Sequence, residues 1–220
     1  FLIPNYRHWD NFLYTVGLTV YDILAGRLSF GRSKYISSKK TVEYLPIVQE
    51  KGLKGGVVYH DGQFDDSRLA INLAQSCVEK GGCPLNRMQV VGILHNAAGV
   101  AAGVKVKDLL SGQLYEVKAK AVINATGIFV DSIMEMDVPT HEHMVKPSQG
   151  VHLVLDRSFL QSDYAIMIPK TDDGRVLFAV PWHDKVVVGT TDTVREKPEL
   201  EPQALEKEIE FILNTAGRYM

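Results

Sequence analysis

The stretch from Asp65 to Gly127 restricts the fold because it carries an ordered series of helix and strand patterns. A helical segment begins at Asp65 or Asp66, with a carboxylate as its N-cap, and runs to about Lys80. Four strand patterns follow, at 89–95, 101–108, 114–119 and 121–124. The first three predict an antiparallel meander, and the fourth is apolar enough to be a buried strand.

Similar patterns flank this stretch on both sides. Helical periodicity covers residues 6–25 and stops at Gly26, and a final helix is expected over 204–216. Further strands are predicted at 57–60, 151–155, 175–180 and 185–188. Because helices and strands do not alternate strictly, we predict an α+β (α/β) chain with a mixed or antiparallel sheet.

The apolar stripes of the first two helices are expected to be buried. In the first helix the stripe contains Trp9 and Phe12, and in the second it contains Leu69, Leu73 and Cys77.

Composition excludes several classes of protein. The chain has 220 residues, of which 45% are hydrophobic and 23% charged, as in globular domains. Its net charge of −2 gives no electrostatic reason to expect nucleic acid as a partner. Cys77 and Cys83 are expected to be free thiols in a reducing compartment. The longest uncharged run, 88–104, is too polar and too short to span a bilayer.

Small residues follow the predicted strand at 121–124. The sequence Asn124-Ala125-Thr126-Gly127 places Thr-Gly where a strand ends, and ligands collect at the carboxyl ends of strands in open α/β sheets. Glycine allows the backbone to approach a cofactor closely. A tight turn without a ligand is the alternative interpretation.

Polar side chains that could bind a substrate or exchange a proton cluster in the last third of the chain. Arg157 follows the strand that contains His152, and Arg175 opens a later strand. Guanidinium groups hold phosphate in a bidentate manner, and histidine exchanges a proton near neutral pH. Thr191 offers a hydroxyl donor after another strand. Each also has a structural interpretation: solvated charges, a hydrogen-bonded histidine and a threonine turn.

Considered together, four motifs resemble the FAD-dependent glycerol-3-phosphate dehydrogenase family. They are Asn124–Gly127, Pro147–His152, Asp173–Trp182 and Gly189-Thr190-Thr191-Asp192. The resemblance implies oxidation of sn-glycerol 3-phosphate to dihydroxyacetone phosphate, with hydride transfer to FAD and electrons passed to a quinone or to oxygen. It also implies a substrate-binding sheet joined to part of an FAD-binding dinucleotide domain.

The resemblance further implies roles for individual residues. Arg157 and Arg175 are expected to bind the phosphate with help from Thr191, and His152 is expected to accept the hydroxyl proton. The flavin is expected near Ala125-Thr126-Gly127. The resemblance also implies a cytoplasmic enzyme, compatible with peripheral association at the inner face of the cell membrane.

The sequence departs from a complete flavoenzyme in two respects. As a first departure, it does not extend to the C-terminal region that returns to contact the flavin in the family it resembles. It also lacks a Gly-x-Gly-x-x-Gly turn, which a dinucleotide fold uses to hold the pyrophosphate. We therefore expect a central fragment that does not retain FAD and is inactive alone. The expected divisions are 1–60 (substrate domain), 61–130 (partial FAD domain), 131–200 (substrate sheet) and 201–220 (C-terminal helix).

Three other interpretations remain open. A flavin oxidase of an amino acid or 2-hydroxy acid would use one arginine to bind a carboxylate. A non-catalytic membrane-docking module would use the aromatic helix at 6–25, although that helix has few basic residues. His141-Glu142-His143 is a candidate metal ligand set, but no further ligand lies at suitable spacing, and a solvated loop without metal is expected.

Overall fold

The computed structural model describes residues 1–171 and 173–219, which divide into two compact units. The first unit contains Phe1–Gln63, Gln149–Thr193 and the described part of the chain from Glu201 onward. The second contains Phe64–Ser148 and Val194–Leu200. Each unit is therefore assembled from separated stretches of sequence, unlike the contiguous divisions predicted above.

Helices and strands are interspersed along the described chain. The strands are β1 (Leu2–Asn5), β2 (Lys34–Ile36), β3 (Gly55–Val58), β4 (Met88–His95), β5 (Ala101–Asp108), β6 (Leu114–Lys118), β7 (Ser148–Gln149), β8 (His152–Asp156), β9 (Ile166–Ile168), β10 (Leu177–Trp182), β11 (Lys185–Gly189) and β12 (Thr193–Val194). The α-helices are α1 (His8–Ala25), α2 (Ser38–Tyr44), α3 (Asp66–Glu79), α4 (Val130–Asp137) and α5 (Glu206–Ala216).

The first unit is built on a seven-stranded sheet in the order β2-β3-β1-β9-β10-β11-β8. Neighbouring strands are antiparallel, except that β1 and β9 run parallel. This confirms the predicted mixed sheet. Sequence patterns located β8, β10 and β11 to within two residues at each end. They missed β1, β2 and β9, which are too short to show a clear alternation.

One face of this sheet packs against helix α5 and the segment after α2. Leu177, Val188 and Ile212 are fully buried there, together with Leu45. Alternate strand residues supply the buried positions because successive side chains in a strand point to opposite faces. The hydrophobic core of the first unit therefore lies under α5.

The second unit contains the antiparallel sheet β4-β5-β6, so the predicted meander is confirmed. Strands β5 and β6 approach each other closely at Gly103, where φ is +153°. A Cβ atom at that position would lie 2.2 Å from the carbonyl oxygen of Val117. Glycine is required there because any side chain would collide with the neighbouring backbone.

Helix α3 begins as predicted, but its apolar stripe is not buried. The Asp65 carboxylate accepts a hydrogen bond of 2.9 Å from the Arg68 N–H, which caps the helix. Leu69, Leu73 and Cys77 are nevertheless exposed. The prediction of a buried stripe is wrong because no layer of the described chain covers this side of the helix.

The stripe of α1 is exposed as well. Trp9 and Phe12 are exposed, and their rings lie 5.3 Å apart. The buried residue of this helix is the polar Asn11, which accepts a 2.8 Å hydrogen bond from the Asn5 side chain in β1. Because the helix meets the sheet through this polar contact, the expectation of a buried aromatic stripe is wrong.

Residues 121–124 do not form the predicted buried strand. The segment belongs to neither helix nor strand, and Ile123 is 88% exposed. A strand needs a neighbour to accept its backbone hydrogen bonds, and no described strand pairs with this segment. Although the segment is apolar, the described chain therefore does not bury it.

Among the described residues, no helix has both the length and the apolar character needed to cross a membrane.

Candidate functional site

The sheet of the first unit has a second face that α5 does not cover. Phe178, Val180 and Val187 alternate with the buried core residues and are only half-buried. They form an apolar surface, called here the open face, which also includes the exposed Val154. A substrate resting on such a surface would be partly shielded from water.

His152 lies at one end of the open face. Its neighbours Leu153 and Leu155 in β8 pack against the core, so the alternation of the strand turns His152 the other way. It pairs with Gly189 of β11. A Cβ atom at Gly189 would lie 2.7 Å from His152 Cδ2, so the imidazole lies directly across this glycine. The exposed ring is free to meet a ligand from the open side.

Thr191 is placed differently from the prediction. It is 4% exposed, and its hydroxyl donates to Glu208 Oε1 at 3.2 Å. The same hydroxyl oxygen accepts a 3.1 Å hydrogen bond from the Val151 N–H. Because both interactions are internal, the structure does not present this hydroxyl to a substrate on the open face.

Sequence reasoning missed Glu208, the buried carboxylate at the centre of this network. Its Oε1 also accepts from the Thr193 hydroxyl at 2.5 Å. Its Oε2 accepts from Gln149 Nε2 and from the Leu205 N–H, both at 2.9 Å. A glutamate at the third position of a helix, bonded back to the residue before the helix, is the signal that could have identified it.

Gln149 reaches this network from the strand before His152. Its Nε2 donates to Glu208 and to the Gln203 carbonyl, while its buried Oε1 has no hydrogen-bond partner among the described residues. Leaving a buried acceptor unpaired costs roughly 1–3 kcal/mol. The orientation of this amide is therefore dictated by the carboxylate.

The structure does not bring the two candidate arginines together. Arg175 precedes the first residue of β10, whereas the Arg157 N–H donates to the Asp184 carbonyl at the far end of the β10–β11 hairpin. The backbones of Arg157 and Arg175 are thus separated by about the length of β10, on the order of 20 Å. The predicted phosphate site shared by both guanidinium groups is not formed in this arrangement, and the role of each arginine stays a prediction.

Each arginine has its own local partners. Arg157 donates to the Leu160 carbonyl and to Asp163. Arg175 donates from both Nε and Nη2 to the same oxygen, Oδ2, of Asp173, and its guanidinium lies 5.6 Å from the centre of the Phe211 ring in α5. The Arg175 guanidinium holds the pKa of Asp173 at about 2. Arg175 therefore lies on the covered side of the sheet, opposite to the open face.

The predicted cofactor segment, in the second unit, forms an exposed turn. The Asn124 side chain closes it by accepting from the Thr126 hydroxyl at 2.8 Å and donating to the Val130 carbonyl at 3.0 Å. Gly127 has φ of +57°, and nothing lies within 4 Å of where its Cβ would be. Ala125, Thr126 and Gly127 are all exposed. A flat ring system could thus approach this backbone closely, so the turn fits one edge of a flavin site.

Helix α4 follows the turn, and its carboxylates hold the segment that leads to β7. Asp131 is buried and accepts from the backbone N–H groups of Met144 and Val145 at 3.1 and 3.0 Å, and it contacts His141 Nε2 at 3.1 Å. These hydrogen bonds, Val145 first, lower the pKa of Asp131 to about 2.

The candidate metal ligands His141 and His143 are bound to different carboxylates of α4. His141 Nε2 contacts Asp131, and His143 Nε2 lies 2.5 Å from Glu135 Oε1, which raises the pKa of His143. The part of the chain that the structure describes contains no group of three or more side chains suited to hold a metal ion.

A family model described as FAD dependent oxidoreductase matches residues 11–220. The mitochondrial glycerol-3-phosphate dehydrogenase of Homo sapiens is 36% identical over 224 residues, which cover 100% of this chain and 31% of that protein. The mitochondrial enzyme of the same name from Schizosaccharomyces pombe is 36% identical over 228 residues, covering 100% of this chain and 35% of the relative.

A solved structure has a similar fold. The glycerol-3-phosphate dehydrogenase from Bacillus halodurans, complexed with FAD, superimposes with a TM-score of 0.80 at 30% identity. The match covers 99% of this chain and 39% of the solved chain. The chain thus spans about a third of the length of the relatives it matches. With nearly all of its residues matched by the family model, the chain belongs to the FAD-dependent oxidoreductases.

Proposed function

We propose that this chain is part of an enzyme that oxidises sn-glycerol 3-phosphate to dihydroxyacetone phosphate. The reaction removes a hydride from the middle carbon of the substrate and a proton from its hydroxyl group. Three findings support the proposal: the family, the names of the relatives, and the position of His152 on the open face.

The position of His152 carries the proposal. An imidazole at the end of an apolar surface, with its ring across Gly189, can accept the hydroxyl proton of a substrate that lies on that surface. The neighbouring Phe178 and Val187 would exclude water from one side of the substrate. The internal bonds of Thr191 give it a supporting role beneath this strand end rather than a direct contact.

FAD, when bound, supplies the hydride acceptor for this chemistry. Ala125, Thr126 and Gly127 would border the cofactor, because their turn is exposed and Gly127 carries no side chain. The Gly-x-Gly-x-x-Gly turn that holds a pyrophosphate is not in this sequence. These residues therefore account for one edge of the flavin site.

Glycerol 3-phosphate is the proposed substrate, and a quinone is the proposed electron acceptor. The location stays a prediction: the resemblance implies the cytoplasm and a peripheral membrane position, whereas the relatives from Homo sapiens and Schizosaccharomyces pombe are named as mitochondrial enzymes.

Replacement of His152 tests the proposed role. In the protein expressed from its complete open reading frame, we expect His152→Asn to lower kcat for glycerol 3-phosphate by roughly 10²- to 10⁴-fold, because asparagine cannot accept the proton. The measurement is steady-state reduction of a quinone analogue, with bound flavin quantified by absorbance. Wild-type kcat in the variant would contradict the assignment of His152.

Substrate competition separates the proposal from an amino-acid or 2-hydroxy-acid oxidase. The wild-type enzyme is expected to turn over glycerol 3-phosphate and to reject glycerol and lactate. Because Arg157 and Arg175 are a strand length apart, Arg157→Ala and Arg175→Ala are not both expected to raise KM for the phosphate ester. Preference for lactate or an amino acid would favour the rival.

A further inference from the structure

The Glu208 carboxylate is a buried polar group of the first unit that accepts several hydrogen bonds and that the proposed reaction does not use. It is 2% exposed and accepts hydrogen bonds from Thr191, Thr193, Gln149 and the Leu205 N–H. All four donors are neutral groups, and the helix α5 directs its N-terminal partial positive charge toward the same carboxylate.

Two of these donors belong to the segments that flank His152. Gln149 lies three residues before His152. Thr191 lies two residues after Gly189, the glycine that the His152 ring contacts across the two strands. The two segments are in close contact, because a Cβ atom at Gly150 would lie 2.5 Å from Thr190 Oγ1.

The direction of the Thr191 hydroxyl depends on the carboxylate. A hydroxyl has one proton, and here it points to Glu208 Oε1 at 3.2 Å. The oxygen lone pairs are then available to the Val151 N–H at 3.1 Å, immediately before His152. The Val151 N–H therefore donates to the Thr191 hydroxyl, which in turn donates to the Glu208 carboxylate.

We propose that Glu208 is a positioning residue for His152, acting through Thr191 and Gln149 to hold the start of β8 in the register that places the imidazole across Gly189. The inference rests on the proposed function for its kinetic consequence. Glu208 itself lies beneath the strand end and does not touch the substrate.

Ionisation of Glu208 is part of this arrangement. Burial by itself raises the pKa of the carboxyl, but the hydrogen bonds from Thr193, Leu205, Gln149 and Thr191 together outweigh burial and hold the pKa below its ordinary value. A neutral amide at this position would present its own N–H groups to donors, so at least one of the four interactions would be lost.

Two threonines provide a matched test, because both donate to the same carboxylate oxygen. The Thr191 hydroxyl also accepts a hydrogen bond from the Val151 N–H. Among the hydrogen bonds described, the Thr193 hydroxyl bonds to Glu208 alone. In the complete protein we expect Thr191→Val to lower kcat for glycerol 3-phosphate by roughly 10- to 100-fold with little change in KM. Thr193→Val is expected to keep kcat within about twofold of wild type.

Glu208→Gln extends the test to the carboxylate. It is expected to lower kcat to a similar extent as Thr191→Val. The kcat of the double variant is expected to be no more than about twofold below that of either single variant, because both changes break the same chain of hydrogen bonds. Multiplicative losses in the double variant, or equal losses from Thr191→Val and Thr193→Val, would overturn the inference. Should Glu208→Gln fail to fold, the two threonine variants decide the matter.

Histidine NMR signals keep this inference separate from the proposed function. In the complete protein labelled with ¹³C-histidine, His152 is assigned by its loss in His152→Asn. We expect Thr191→Val to shift the His152 ring signals and Thr193→Val to leave them in place. If wild type does not oxidise glycerol 3-phosphate, the proposed function fails, and the NMR comparison still tests the positioning. Unchanged His152 signals in Thr191→Val would refute it.

Discussion

The two units of this chain use similar residues in different ways. Among the described residues, every buried apolar side chain but one belongs to the first unit, and the exception is Val106 in β5. The second unit leaves Leu73, Val117 and Ile123 exposed. Both units have apolar sequence patterns, but among the described residues the buried apolar cluster lies in the first unit.

This difference shows what an apolar pattern can establish. A sheet needs a second layer to bury its apolar face, and a three-stranded sheet is near the minimum for independent stability. The first unit obtains its layer from α5. The second unit is organised by backbone ladders and by polar contacts such as those of Asp131. We therefore expect core substitutions to be costly in the first unit and polar substitutions to matter most in the second.

The largest contrast is expected between two leucines. Leu177→Ala removes a fully buried side chain from the first unit and should lower the free energy of unfolding by about 2–5 kcal/mol. Leu73→Ala removes a side chain that is 63% exposed in the second unit and should change it by less than about 0.5 kcal/mol. Urea denaturation of this chain measures both, and equal losses would contradict the contrast between the units.

A pH-dependent effect is expected at Asp131. Its pKa is about 2 in the folded chain and about 4 when unfolded, so its contribution is present above pH 4 and is lost as the pH falls toward 2. Asp131→Asn should lower the melting temperature at neutral pH and remove this acid-dependent part of the stability. Thermal melts from pH 2 to pH 7 measure it. A variant with the acid dependence of wild type would show that Asp131 does not hold the segment.

The smallest effect is expected at two helix N-caps, one in each unit. Asp65 caps α3 with a 2.9 Å hydrogen bond, and Ser37 caps α2 with a longer bond of 3.4 Å to the Lys40 N–H. Asp65→Ala should cost about 1 kcal/mol, and Ser37→Ala should cost no more. Caps act locally, so the difference between the units should nearly disappear here. A loss at Ser37 several times that at Asp65 would show that the core amplifies local changes.

Long periodic segments were predictable from the sequence. Several residues support each of these patterns, so the elements begin and end close to their predicted positions. They are the helices α1, α3 and α5 and the strands β4, β5 and β8. Burial was less predictable, since the apolar residues of α1, α3 and 121–124 need a covering layer that the pattern alone cannot supply.

The candidate site was predictable only in part. Alternation along β8 predicted that His152 faces away from Leu153, and the structure places it so. The separation of Arg157 and Arg175 depends on the order and direction of β8, β11 and β10, which a single sequence does not reveal. Glu208 lies more than fifty residues from Gln149, and their contact exists only in the folded chain.

The discontinuous first unit also bears on biosynthesis. Its sheet receives β1, β2 and β3 early, but the strands that complete it follow Ser148. A ribosome adding about 5–20 residues per second needs roughly 4–17 seconds to make the intervening stretch of about 85 residues. Throughout that interval the nascent β1 strand has no β9 beside it, so a chaperone that shields this edge would act during translation of the second unit.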